Sequence, residues 1–159
     1  MKRRRIIGAA GASQPDSFIT LTQAGDEFSE IQRKMRNLRR SLARNDYPLE
    51  WVWIVECNEQ HDQHHVHALA HGTRPEPWTL TEYAERAGFG SECSIEPESN
   101  PTQRARYLWS HRKRRALDLP HFLLMNGERF QHSTRGFWRV NGEPVGGMDA
   151  AIRMLRETT

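Results

Sequence analysis

The sequence predicts an α+β fold, in which one antiparallel sheet of about five strands carries helices packed on one face. Three observations lead to this prediction. Several short segments alternate apolar and polar residues, two longer segments repeat apolar residues at spacings of three and four, and most segments follow one another closely. Short connections favour antiparallel neighbours, and an amphipathic helix buries its apolar stripe against a neighbouring layer. With no internal repeat or linker, residues 1–159 are expected to form a single domain.

The first half of the chain predicts three strands and one long helix. Residues 17–23, SFITLTQ, alternate and are rich in β-branched side chains, which is typical of a strand. A helix is predicted to follow and to end near Arg44, with an apolar stripe formed by Phe28, Ile31, Met35, Leu38 and Leu42. Strands are predicted over residues 50–57 and 64–70, and the polar loop between them indicates a hairpin. Such a hairpin brings the end of one strand beside the start of the next.

The second half predicts shorter elements. Thr79 is expected to cap a helix that ends near Arg86, and Glu82 would complete a capping box. A fourth strand is predicted over residues 92–96 and a second amphipathic helix over residues 100–115. Beyond them come predicted strand segments with Asn-Gly turns and a final short helix, at residues 122–125, 130–140 and 147–157.

The positive charge of the chain is unevenly distributed. The formal net charge is only +3, from 23 basic and 20 acidic residues, and all but three of the basic residues are arginine. They concentrate at residues 2–5, 33–44 and 112–115. The arginine fork matches phosphate oxygens and stacks on bases, so the clusters favour contact with nucleic acid. Solvated helix faces would give the same pattern, and charge alone does not separate the two interpretations.

Cysteine content and hydropathy predict a cytoplasmic protein with no membrane partner. Cys57 and Cys93 are the only cysteines and form no Cys-x-x-Cys pair, which fits a reducing compartment. No apolar run approaches the roughly 20 residues that cross a bilayer. Residues 1–15 begin with a basic cluster and continue through a short glycine-containing apolar stretch. We expect this segment to be a flexible basic arm that helps to capture DNA by electrostatic attraction.

The histidines of the third predicted strand indicate a metal site. In His65-Val66-His67 the two imidazoles project from one side of the strand while Val66 turns to the other. In the neighbouring predicted strand, alternation gives Glu56 a face from which it can join them. Two imidazoles and one carboxylate with open positions are typical of a catalytic metal centre. We expect Mg²⁺ or Mn²⁺, although such mixed ligands also accept Zn²⁺.

Two other interpretations of these histidines stay open from the residues alone. Alternating histidines also occur on strand edges that face solvent. A zinc-binding histidine cluster is the second alternative, and its members would be His61, His64 and His71.

The order of these motifs resembles the HUH endonucleases, in particular the rolling-circle replication initiators of small plasmids and single-stranded DNA phages. Residues 18–22, FITLT, resemble the first family motif, and His65-Val66-His67 matches the metal-binding motif. Tyr107 stands where the family has its nucleophile. Residues 129–138, RFQHSTRGFW, are similar to the segment that follows the tyrosine-bearing helix in many members. The resemblance covers residues 17–140 and implies an HUH/RRM-like sandwich.

The resemblance also implies an activity. A member of this family nicks single-stranded DNA at an origin or hairpin site, with Tyr107 as nucleophile and a covalent 5′-phosphotyrosine intermediate. Ser110 replaces the lysine that the family places three residues after the tyrosine, and His111 replaces the second tyrosine of some phage members. A single-tyrosine enzyme is therefore implied. The expected DNA contacts are Arg104, Arg106, Arg112, Lys113, Arg114, Arg129 and Arg135.

Three alternatives accompany this hypothesis. A single-tyrosine HUH transposase would share the same motifs, and a non-catalytic nucleic-acid-binding module would share only the fold. Tyr107 has apolar neighbours in sequence, so its alternative role is that of a core aromatic. The sequence has no GxxxxGK[ST] phosphate loop, so unwinding is expected to come from a host helicase or another separate protein.

Overall fold

The computed structural model describes residues 2–24, 28–57, 63–115 and 131–157. The helices of this part are α1 Lys2–Ala12, α2 Phe28–Arg44, α3 Pro77–Ala87, α4 Pro101–Arg115 and α5 Met148–Glu157. The strands are β1 Ser17–Ala24, β2 Leu49–Cys57, β3 Gln63–Gly72, β4 Ser94–Pro97, β5 Gln131–Ser133, β6 Arg139–Val140 and β7 Glu143–Pro144. A single 3-10 turn at Arg135–Phe137 lies between β5 and β6.

Five strands form one antiparallel sheet in the order β4-β1-β3-β2-β5. The α+β class and the five-stranded antiparallel sheet predicted from the sequence are confirmed. The central strand is β3, which pairs with β1 on one side and with β2 on the other. Its partners place Thr20 opposite His67 and Thr22 opposite His65. On the other side, Glu56 lies opposite His65, as a β2–β3 hairpin requires.

One face of the sheet, which we call the α2 face, packs against α2 and α3. Trp51, Trp53 and Val66 on this face are buried against the apolar stripe of α2, which includes Met35 and Leu38. Alternation along each strand turns every second residue into this layer, so the predicted stripe of α2 forms the larger core.

The opposite face, which we call the histidine face, is covered in part by α1, α4 and α5. Phe18, Ile54 and Leu69 on this face belong to a second core that contains Leu108 of α4 and Trp138. The helices of the molecule therefore lie on both faces of the sheet rather than on one. The physical reason is that α1 and α4 carry their own apolar stripes, which need an apolar surface to cover.

The N-terminal segment differs from the predicted flexible arm over residues 1–15. Lys2–Ala12 forms α1, in which Ile6 is 4% exposed and Ala9 and Ala10 are fully buried. Gly11 packs so closely on Thr102 of α4 that the structure leaves no space for a Cβ at position 11. The small residues that indicated flexibility in the sequence instead permit close approach of two helices.

Three further boundaries differ from prediction. Helix α3 begins with Pro77 after an extended Glu76, and Thr79 is buried inside the helix, so the Thr79–Glu82 capping box is wrong. The predicted strand over residues 130–140 is interrupted by the 3-10 turn, whose Phe137 is buried. The Asn141–Gly142 turn between β6 and β7 is confirmed, with φ of 52° and 82°. The segment predicted at residues 122–125 lies outside the described residues.

None of the helices in the described ranges has the length and apolar character that crossing a bilayer requires.

Candidate functional site

Glu56, His65 and His67 lie together on the histidine face, near the end of β2 and the start of β3. The Oε2 atom of Glu56 is 2.8 Å from Nε2 of His67. The rings of His65 and His67 lie side by side, with centroids 6.5 Å apart and planes inclined by 11°. Val66 between them is fully buried on the α2 face, as its alternation predicts. The expected same-face arrangement of the three side chains is therefore present.

Two threonines of β1 support these imidazoles from behind. The Oγ1 atom of Thr20 is 3.2 Å from Nδ1 of His67, and Oγ1 of Thr22 is 3.5 Å from Nδ1 of His65. Thr22 also donates a hydrogen bond to the carbonyl oxygen of Glu92 at 2.8 Å. A hydrogen-bond partner at Nδ1 fixes the orientation of an imidazole and selects Nε2 as the outward-facing nitrogen.

The role of the threonines was missed in the sequence, although a signal was present. In FITLT the two threonines are separated by one residue, so they share a face of β1 just as His65 and His67 share a face of β3. Only the register between β1 and β3 shows that each threonine lies opposite one histidine.

The side chains fit a divalent ion in part. Two ligands at about 2.1 Å from one ion are separated from each other by about 3 Å when they lie at right angles. The 2.8 Å between Glu56 Oε2 and His67 Nε2 matches that separation. The almost parallel rings do not converge on one point, and no group of three His, Cys, Asp or Glu side chains in the described residues is already arranged around a common centre. To join the other two ligands, His65 would need to turn about its side-chain torsions.

The structure removes both alternative interpretations of the histidines. His65 and His67 lie on the central strand of the sheet, so they do not belong to a strand edge. His71 lies at the far end of β3, where it is 7% exposed and its Nε2 is 2.9 Å from the carbonyl oxygen of Phe137. A zinc cluster that includes His71 is therefore excluded. His61 lies outside the described residues, and the position of the His64 side chain is not described.

A stack of three side chains connects His67 to α4. The ring of Phe18 lies against the ring of His67, with centroids 5.5 Å apart and planes inclined by 13°. The Arg104 guanidinium lies 4.1 Å from the centre of the Phe18 ring. Arg104 also donates a hydrogen bond from Nε to Glu98 Oε2 at 2.7 Å, and its Nη2 lies 3.4 Å from Glu96 Oε1. Its guanidinium is thus occupied by structural contacts, so a DNA contact by Arg104 would compete with them.

Tyr107 lies on the exposed surface of α4. Its side chain is 53% exposed, whereas Ala105 and Leu108 are buried against the sheet. The core role considered for this tyrosine is therefore wrong. Tyr107 follows Arg104 by three residues, so the two side chains are neighbours on the same flank of the helix. Because Arg104 reaches Phe18, this flank is the one beside the histidine face.

The remaining predicted DNA contacts are only partly described. Arg106 and Arg135 are exposed. Arg112, Lys113 and Arg114 belong to α4, but the positions of their side chains are not described, and Arg129 lies outside the described residues. Exposure makes Arg106 and Arg135 available to a polyanion without showing that they contact one.

Cys93 is a poor alternative nucleophile. Burial raises the pKa of its thiol above the usual value, with the nearby Glu85 carboxylate adding to the shift and a backbone hydrogen bond at Thr22 opposing it. The thiol also lies 3.2 Å from the carbonyl oxygen of Gly90. Since the thiolate is the reactive species, a raised pKa keeps this group inert at neutral pH.

Comparison with known proteins decides the family. A family model described as the replication-associated protein ORF2 family matches residues 16–153. The chain belongs to this family. The match begins at the start of β1 and extends into α5, so it includes the whole five-stranded sheet and the histidine face. No curated protein matches the chain.

One solved structure is similar to this chain. It is the hypothetical protein ORF119 from Sulfolobus islandicus rod-shaped virus 1, with 14% sequence identity and a TM-score of 0.45. The similarity covers 70% of this chain and 95% of that chain.

Membership in the replication-associated protein family connects the chain to DNA replication and to nucleic acid. The polar groups of the histidine face and the exposed phenol of Tyr107 belong to the matched part. Their catalytic and metal-binding roles stay predictions.

Proposed function

We propose that the protein is an HUH-type replication initiator that nicks single-stranded DNA and rejoins it through a tyrosine-linked intermediate. Glu56, His65 and His67 would hold a divalent metal ion, Mg²⁺ or Mn²⁺, and Tyr107 would be the nucleophile. The observation that carries the proposal is the contact between Glu56 and His67, backed by a threonine hydroxyl at the second nitrogen of each imidazole. This donor set suits a divalent ion better than a purely structural role.

The proposed reaction conserves the energy of one phosphodiester bond. The Tyr107 oxygen forms a bond to the phosphorus as the bond from phosphorus to the 3′ oxygen breaks. The phenol gives up its proton, and the departing 3′ oxygen takes one, which leaves a 3′-hydroxyl on one strand and a 5′-phosphotyrosine on the protein. The same steps in reverse allow a 3′-hydroxyl to rejoin the strand. A bound divalent ion would polarise the scissile phosphate and offset the charge that develops on its oxygens.

The residues around the site have separate tasks in this scheme. Thr20 and Thr22 keep the imidazoles in the orientation that presents Nε2 outward. Phe18 limits rotation of the His67 ring by stacking against it, and Arg104 holds Phe18 in place from α4. Exposure of Tyr107 leaves its oxygen accessible to a strand that approaches from solvent. The sheet thus positions the candidate ligands, while α4 carries the nucleophile.

Covalent capture tests this proposal. The purified protein is mixed with labelled single strands from its replicon and Mn²⁺, and a labelled band that survives denaturation is expected. Peptide mapping by mass spectrometry should place the nucleotide on Tyr107. The band should vanish in EDTA, and excess Mn²⁺ should restore it.

The same experiment separates the competing hypotheses. Capture with replicon strands supports an initiator, whereas capture only with transposon-end hairpins supports an HUH transposase. Binding that is unaffected by EDTA, with no covalent product from any strand, would indicate a non-catalytic module and overturn the proposal.

A further inference from the structure

A second feature, which we call the arginine cleft, lies between α2, the first half of β2 and the short strands β5 and β6. It encloses about 770 Å³, which is within the usual range of roughly 300–1,000 Å³ for ligand sites. Its described lining contains four arginines, Arg36, Arg39, Arg40 and Arg139, and one carboxylate, that of Glu50. A cleft with this composition attracts anions.

The single carboxylate neutralises only one of these arginines. Arg39 donates from Nη2 to Glu50 Oε1 and from Nε to the carbonyl oxygen of Leu49, both at 2.7 Å. These contacts fix Arg39 in the wall of the cleft. Arg36 and Arg40 are exposed and form no ion pair with any acid in the described ranges. The cleft therefore keeps an excess of positive charge that the protein itself does not balance.

The rest of the lining is flat and largely apolar. Trp51 and Trp53 of β2 contribute to it, and the Trp53 ring stacks on His132 of β5 with centroids 4.5 Å apart. Gln32 of α2 lies 3.3 Å from the same imidazole and connects the two walls. Inorganic phosphate uses only the cationic part of such a cleft. A nucleotide has an anionic backbone and a planar base, so it matches both parts.

The arginine cleft is well separated from the candidate nicking site. Glu50 lines the cleft and Glu56 belongs to the histidine face, and six residues of β2 between them span roughly 20 Å at about 3.3 Å per residue. The two regions thus lie at opposite ends of the same strand.

We propose that the arginine cleft is a second binding site for single-stranded DNA, in which Arg36, Arg40 and Arg139 contact backbone phosphates. An unpaired strand can place its nucleotides inside a concave site of this volume, whereas the bases of a duplex stay stacked outside it. Such a site would hold the strand about 20 Å from the scissile phosphate. Binding here requires neither metal nor cleavage, so the proposal stands or falls independently of the nicking reaction.

Charge reversal in the cleft tests this proposal. The double variant R36E/R40E is compared with R74E/R153E, which reverses two exposed arginines elsewhere and changes the net charge equally. Anisotropy of a short labelled single strand is measured in EDTA over a range of salt concentrations. We expect binding by R36E/R40E to weaken at least about ten-fold, and the slope of log K against log salt to become shallower by about 1.4, since each phosphate contact on a single strand contributes about 0.7. The control should stay within about two-fold of the unmodified protein.

The outcomes are distinguishable. Melting curves establish that both variants fold, and the neutral variant R36Q/R40Q gives the same comparison with a smaller perturbation. Photocrosslinking with 5-iododeoxyuridine strands should label the peptide that contains Trp51 and Trp53. Equal losses in cleft and control variants would overturn the proposal. So would a cleft variant that loses competition by inorganic phosphate but keeps full affinity for the strand, because that result describes a small-anion site.

Discussion

The two ends of β2 carry opposite chemistry. At the end near Cys57, Glu56 and the imidazoles of β3 present oxygen and nitrogen donors that suit a cation. At the start of the strand, Glu50 is occupied by Arg39, and the neighbouring arginines of α2 attract an anion. One strand thus connects a candidate cation site with a candidate phosphate site. A nucleic acid that is cut by metal-assisted chemistry needs both kinds of contact.

The two ends also differ in how they are constructed. The candidate metal ligands come from two paired strands that are adjacent in sequence, so strand alternation alone places them on one face. The arginine cleft combines residues of α2, β2, β5 and β6 that are about a hundred positions apart in the chain. Disturbing one end should therefore leave the other end functional, and the predictions below exploit that independence.

The largest expected effect comes from Tyr107→Phe. Removing the nucleophilic oxygen should lower covalent capture by more than about a thousand-fold, because no other group replaces a lost nucleophile efficiently. DNA affinity should change by no more than about two-fold, since the exposed ring and the arginine cleft are retained. Gel-resolved capture and anisotropy measure the two quantities separately.

Tyr83→Phe is the matched control, because Tyr83 lies on α3, which packs on the α2 face. This variant should capture DNA as the unmodified protein does. If Tyr107→Phe still forms the adduct while Tyr83→Phe does not, the nucleophile has been assigned to the wrong tyrosine.

A smaller effect is expected from Thr20→Val. Valine has nearly the same shape but lacks the hydroxyl that lies 3.2 Å from Nδ1 of His67. Loss of such a support for a metal-binding imidazole typically weakens metal affinity or activity by about 10- to 100-fold. Calorimetric titration with Mn²⁺ measures the affinity directly, and His67→Ala provides the reference for complete loss.

Thr20→Ser retains the hydroxyl and should keep most of the Mn²⁺ affinity. DNA binding in EDTA should be the same for both threonine variants, because the arginine cleft lies at the other end of the sheet. Unchanged Mn²⁺ affinity in Thr20→Val would mean that the threonines do not orient the imidazoles for a metal.

The sequence predicted the parts of the molecule that depend on local periodicity. The strand that contains His65 and His67, the stripe of α2 and the shared face of Glu56 all follow from alternation or from spacings of three and four. The pairing of Thr20 and Thr22 with the two histidines depends on the register between β1 and β3, which are separated by about forty residues. Periodicity within a strand contains no information about such register.

The sequence failed where packing overrides composition. The glycines and alanines of residues 8–12 have low hydrophobic contrast, so they gave no stripe, yet in the structure they let α1 pack tightly on α4. Thr79 matched a capping motif, but Pro77 is a better first residue of a helix because it lacks an N–H and has a fixed φ. The arginines of α2 resembled a solvated face until β2, β5 and β6 were seen to complete a cleft around them.

The smallest expected effect concerns Ser13, which follows α1 and connects it to the wall of the arginine cleft. Ser13 is 2% exposed, donates to the carbonyl oxygen of Ala9 at 2.9 Å and accepts a hydrogen bond from the backbone N–H of Arg139 at 3.1 Å. Ser13→Ala would leave that N–H without its partner, which typically costs about 1–3 kcal/mol. Urea denaturation measures the change. The exposed Ser91→Ala should stay within about 0.5 kcal/mol of the unmodified protein. If Ser13→Ala is equally neutral, residues 1–15 behave as the flexible arm that the sequence suggested, and Arg139 needs another support.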